Sequence, residues 1–115
     1  MKKKNENFLE FVPIRSEKVD WEIKGENVVL IVYRNSFIDK LVRKFFNTPE
    51  KMTIDLDEIG STVWQAIDGK RDIYEISQIV KDKFGKNAEP LLDRLITYIN
   101  ILKNNDFIKL LKKKG

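Results

Sequence analysis

Asp55, Asp57 and Glu58 place three carboxylates within four residues, a spacing that suggests cation binding. An EF-hand loop needs oxygen ligands spread over about twelve residues with a glycine at its bend, and that series is absent. Asp57 instead precedes an apolar pattern of helical period, where a carboxylate caps the first turn. Gly60 and Gly69 are not followed by the Lys-Ser/Thr pair of a phosphate-cradling loop. The chain has no cysteine and no histidine. A thiol nucleophile, a disulfide, a zinc–thiolate site and an imidazole base are therefore all excluded. The residue types point to a protein that is not an enzyme, has no catalytic residue, metal or cofactor of its own, and works by binding; a carboxylate-only metal site and a Ser/Lys or Asp-based enzyme are the alternatives they leave.

Charge narrows what it binds. The 22 basic and 18 acidic residues give a formal net charge of +4. Lys2, Lys3 and Lys4 lie at one end, and Lys112, Lys113 and Lys114 at the other. Without these six, 16 basic residues face 18 acidic ones. The positive charge belongs to the tails, whereas a nucleic-acid-binding domain carries it on the folded face that docks. No run approaches the ~20 apolar residues of a membrane span, and Met1 to Phe11 is not a signal peptide. A cytoplasmic protein with no membrane partner is expected.

The 115 residues, 42% hydrophobic and 35% charged, suit one compact domain. It is expected over residues 13–111, with basic tails at 1–12 and 112–115; Phe8, Leu9 and Phe11 can dock the end of the first tail. Val19, Trp21 and Ile23 alternate with Asp20, Glu22 and Lys24, predicting a strand with one buried face. Gly25-Glu26-Asn27 reads as a three-residue turn and Val28 to Tyr33 as the returning strand. Phe37, Leu41 and Phe45 predict an amphipathic helix from about Ser36 to Phe46, stopped by Asn47-Thr48-Pro49. Met52 to Leu56 alternates as a short third strand.

Three helices are then expected. Asp57 caps one carrying Ile59, Val63, Trp64 and Ile67, which ends at Asp68-Gly69. Asp72 caps a second with Ile73, Ile76, Ile79 and Val80 on one stripe, ending at Phe84-Gly85. The third runs from about Ala88 to Asn104, with Pro90 in its first turn. Phe107 to Leu111 is a final strand or an extended segment packed on the core. The fold class is α+β and winged helix-turn-helix-like, with an N-terminal three-stranded antiparallel sheet followed by a three-helix bundle.

Two features of this layout can bind a ligand. Leu92, Leu95, Ile99 and Leu102 form the central line of the third helix, widened by Leu91, Tyr98 and Ile101 on one side and Ile96 on the other. The apolar arc is about twice the ~100° a surface helix needs. The helix is either sandwiched or offers the Leu91–Tyr98–Ile101 flank to a ligand, and both can hold. The third strand, Met52, Thr53, Ile54 and Asp55, is either an open sheet edge able to accept another strand or one covered by the 34–51 or C-terminal segment. Arg34, Lys40, Arg43, Lys44 and Lys51 interleave with Phe37, Phe45 and Phe46, which fits either a packed helix with a solvated basic face or a surface for a membrane or an acidic partner.

The stretch from Ile54 to Ile76 resembles the PqqD family. The resemblance is carried by Leu56-Asp57-Glu58, Gly60, Val63-Trp64, Asp68-Gly69 and Glu75-Ile76, and extends over about residues 12 to 111 through the hairpin, the last helix and Phe107-Ile108. It implies a recognition element that holds the leader of a ribosomally made precursor peptide against the third strand and presents it to a modifying enzyme, often a radical SAM maturase. Carried onto this chain, the peptide-binding residues are Met52, Thr53, Ile54 and Asp55, faced by Arg94, Leu95, Tyr98 and Ile101. The longer 34–51 insertion departs from the family pattern and can cover or extend that site.

On this reading a proline at Ile54 should abolish capture. The alternatives are a winged-helix DNA-binding regulator and a homodimeric structural subunit. The first would read bases with Glu89, Asp93, Thr97, Asn100 and Lys103, and two acids on that face are a poor match to phosphate. A monomer or weak homodimer is expected.

Overall fold

The computed structural model describes residues 8–33 and 51–112. The helix expected at 36–46, and the question of whether 34–51 covers the groove, lie outside the described residues. The elements are β1 (Val12–Arg15), β2 (Val19–Lys24), β3 (Asn27–Tyr33), β4 (Lys51–Asp55), α1 (Glu58–Ala66), α2 (Ile73–Phe84), a 3-10 turn (Gly85–Ala88), α3 (Leu91–Asn104) and β5 (Ile108–Leu111). The class is α+β, with antiparallel pairing in both sheets.

One sheet has the order β2-β3-β4. Lys24 pairs with Asn27, so the hairpin turn is the two residues Gly25 and Glu26, one fewer than expected. Gly25 takes a φ of 63°, the positive region that such a tight turn requires. The register pairs Trp21 with Leu30 and Ile23 with Val28, which puts them on one face. That face is buried at β3 but not along β2. Trp21 is 37% and Ile23 54% exposed, and only Val19 of the expected stripe is buried. The β2 strand lies at the margin of its sheet, so the apolar cover that seals β3 does not reach its outer end.

A second sheet pairs β1 with β5. The sequence suggested β5 but not its partner. Pro13 tolerates β1 because a two-stranded sheet has free edges that need no donor. The Ser16 amide extends the junction by donating to the Phe107 carbonyl at 2.8 Å. Phe8, Leu9 and Phe11 do pack against the core, and the Phe11 carbonyl accepts from the Ile73 amide at 3.0 Å.

The helices start and stop where side chains satisfy their free backbone groups. The Asp57 carboxylate accepts from the Gly60 amide at 2.7 Å. Asp72 and Glu75 form a reciprocal capping box at 2.8 and 2.9 Å. Gly85 ends α2 with a φ of 55°. The third helix begins at Leu91, later than expected. Pro90 is its extended N-cap, and the residue before a proline is biased away from helical geometry. Trp64 lies fully buried among Val28, Leu30, Ile67, Ile76 and Ile99 in one core. Arg15 ties the two sheets together: its guanidinium carbon stands 4.9 Å from the Trp21 ring centre and 5.8 Å from that of Trp64.

Candidate peptide-binding edge

Among the described residues, β4 has a strand on one side only. Which of its backbone groups face the free side follows from a single bond. The Leu56 amide donates to the Val28 carbonyl at 2.9 Å, and the register places Val29 opposite Asp55. In an antiparallel pair, bonded and non-bonded positions alternate. Leu56, Ile54 and Met52 therefore turn their backbone polar groups toward β3, while Thr53 and Asp55 turn theirs outward. Side chains alternate the other way about the sheet plane: Met52 and Ile54 lie on the face shared with Leu30, Thr53 and Asp55 on the opposite one. Thr53 and Asp55 are exposed, Met52 is 52% exposed and Ile54 is half-buried against the core.

The inner end of this edge is fixed by a hydroxyl. The Val28 amide donates to Ser61 Oγ at 2.7 Å, and Ser61 Oγ donates to the Leu56 carbonyl at 3.3 Å. Ser61 is buried, and it continues the β3–β4 ladder into α1 after the two backbones diverge.

Tyr98 on α3 meets the same turn. Its hydroxyl donates to the Gly60 carbonyl at 3.3 Å. A Cβ on Gly60 would stand 2.7 Å from Tyr98 Oη and 3.0 Å from its ring carbon, so this helical glycine permits the approach. Burial raises the Tyr98 phenol well above its ordinary value, with the nearby Asp57 charge adding to the shift. Outside Tyr98, α3 opens a shallow cavity of about 350 Å³ lined by Asp93, Arg94, Thr97, Tyr98 and Ile101. The Arg94 guanidinium donates to the Asn87 carbonyl at 3.1 Å, which steadies one rim.

The expected site residues thus fall into three groups. Met52, Thr53, Ile54 and Asp55 form the edge. Arg94, Tyr98 and Ile101 line the cavity, joined to the edge through Gly60 and Asp57. Leu95 does not contribute a surface: it is 3% exposed and faces the core behind Tyr98. Leu92, expected on the buried line of α3, is 46% exposed and borders a separate groove of about 820 Å³ against α2, beside Tyr74 and Lys81. Ser61 was not singled out from the sequence, Gly60 stood there only as a motif position and Thr97 only as a candidate base reader. A glycine in the first turn of a helix with no bend to make was the available signal of a close approach.

The exposed carboxylates of Asp55 and Glu58 do not converge on a metal site. Among the described residues, no group of three or more potential ligands is placed to hold an ion. No described helix is long and apolar enough to cross a membrane.

Residues 36–108, more than half of the chain, match the family model described as coenzyme PQQ synthesis protein D (PqqD). Among solved structures the chain is similar to TbiB1 in complex with the TbiA(beta) leader peptide. The TM-score is 0.60 at 16% identity, over 84% of this chain and 94% of that one, a likeness of fold. No curated protein matches.

Proposed function

The chain belongs to the PqqD family, and from that premise we propose that it captures the leader of a ribosomally made precursor peptide by strand addition to β4. The observation that carries this reading is the edge left open among the described residues, where Thr53 and Asp55 turn their amides and carbonyls outward. Main-chain bonds give such a complex its affinity, and adjacent pockets choose alternate side chains. The leader peptide bound to the structural neighbour TbiB1 supports the assignment. The captured peptide is presented to a separate modifying enzyme, of the radical SAM class, in the cytoplasm. The domain itself is non-catalytic and its layout is of winged-helix type, with the exposed Glu89 just before α3 and Asp93 in its first turn opposing a role in reading DNA.

The alternation of the ladder dictates the test. Ile54→Pro removes an amide bonded to β3 and so damages the sheet, which makes it a poor probe of capture. Thr53→Pro removes an outward donor only, and an edge strand tolerates it. Thr53→Pro is expected to retain the wild-type circular dichroism spectrum and to bind leader peptide at least tenfold more weakly. Undiminished binding by folded Thr53→Pro would overturn strand addition at this edge.

A further inference from the structure

On the premise that β4 accepts a strand, we infer that the captured segment carries a lysine or arginine at the position facing Asp55, with apolar residues beside it and three positions from it. The spacing follows from the pleat. A residue added opposite Asp55 shares its face of the sheet, and those opposite Ile54 and Met52 lie on the other face. The face shared with Leu30 is apolar at β4: Ile54 packs against the core and Met52 is exposed. Residues opposite Ile54 and Met52 are accordingly apolar.

The opposite face has an apolar middle, with Val29 buried and Ile31 half-buried, and charged margins: Asp20, Glu22 and Lys24 on β2 and Asp55 on β4. Its rows run from Glu22 through Val29 to Asp55, and from Asp20 through Ile31 to Thr53. Asp55 is exposed, and among the described residues it has no ion-pair partner. Glu58 adds a second exposed carboxylate just beyond the strand. An incoming cation at this position finds an unpaired carboxylate directly across the new ladder, and an incoming acid meets like charge. The required pattern is basic, apolar, any, apolar, reading from Asp55 toward Met52.

A displayed library of short random peptides tests this, selected in parallel against the full wild-type chain and Asp55→Lys. Only binders lost on Thr53→Pro are retained. The wild-type set should be enriched in Lys or Arg next to an apolar residue, and the Asp55→Lys set in Asp or Glu at that position. Changing the basic residue of a selected peptide to Glu should weaken wild-type binding by about three- to tenfold at low salt, and less at high salt. Edge-dependent binders with no charge preference, or with the same preference for both proteins, would overturn this inference and leave the proposed function standing. Failure to recover any edge-dependent binder would overturn the proposed function and this inference with it.

Discussion

At the scale of single residues, two hydroxyls hold the candidate site in place. Ser61 accepts from one buried backbone amide and donates to a carbonyl, so Ser61→Ala strands the Val28 amide. An unmade bond of this kind costs about 1–3 kcal/mol, which denaturant unfolding should register as a lower midpoint with an unchanged slope. Tyr98 gives a signature in pH. Its phenol binds its proton more tightly folded than unfolded, so the unfolded state releases that proton first. The stabilising contribution is complete below the ordinary tyrosine value of about 10 and is lost as pH rises beyond it. Tyr98→Phe should therefore flatten the alkaline fall in stability, and a phenolate absorbance titration should lose a tyrosine that titrates above the ordinary range. Neither role was legible in the sequence. A serine inside a helix looks like surface, and a tyrosine on an apolar flank gives no sign of which carbonyl it will meet.

At the scale of elements, local chemistry was easier to read. Asp57, Asp72 with Glu75, and Gly85 mark helix ends by side-chain and backbone needs that operate within a few residues. The alternation of Met52 to Asp55 likewise marks a strand. Long-range pairing has no such signal: β1 meets β5 from opposite ends of the chain, and neither segment's residues name the other as partner. Coverage was also illegible. Trp21 and Ile23 lie on the correct face of β2, yet nothing in their period says where the overlying helix stops. The junction of β4, α1 and α3 depends on Gly60 having no side chain. Gly60→Ala should push Tyr98 aside and destabilise the protein by about 1–3 kcal/mol, the usual range for overpacking. Thermal unfolding should show that cost shrinking in a Tyr98→Leu background, because the obstructing ring is gone.

At the scale of the whole molecule, the described residues form two small sheets on one core, with β4 at the margin of the larger and α3 linked to α1, the helix that follows β4, through Tyr98 and Gly60. The absence of histidine and cysteine pointed toward binding from the outset, and the order of strands supplies what composition cannot, an edge with no second strand among the described residues. The most direct test of strand addition is amide hydrogen exchange, residue by residue, with and without a peptide selected for edge-dependent binding. The free protein should exchange the Thr53 and Asp55 amides rapidly while those of Ile54 and Leu56 are protected by β3. Bound peptide should slow Thr53 and Asp55 and leave Ile54 and Leu56 as they were. Slow exchange at Thr53 and Asp55 in the free protein, or no change there on binding, would contradict the account.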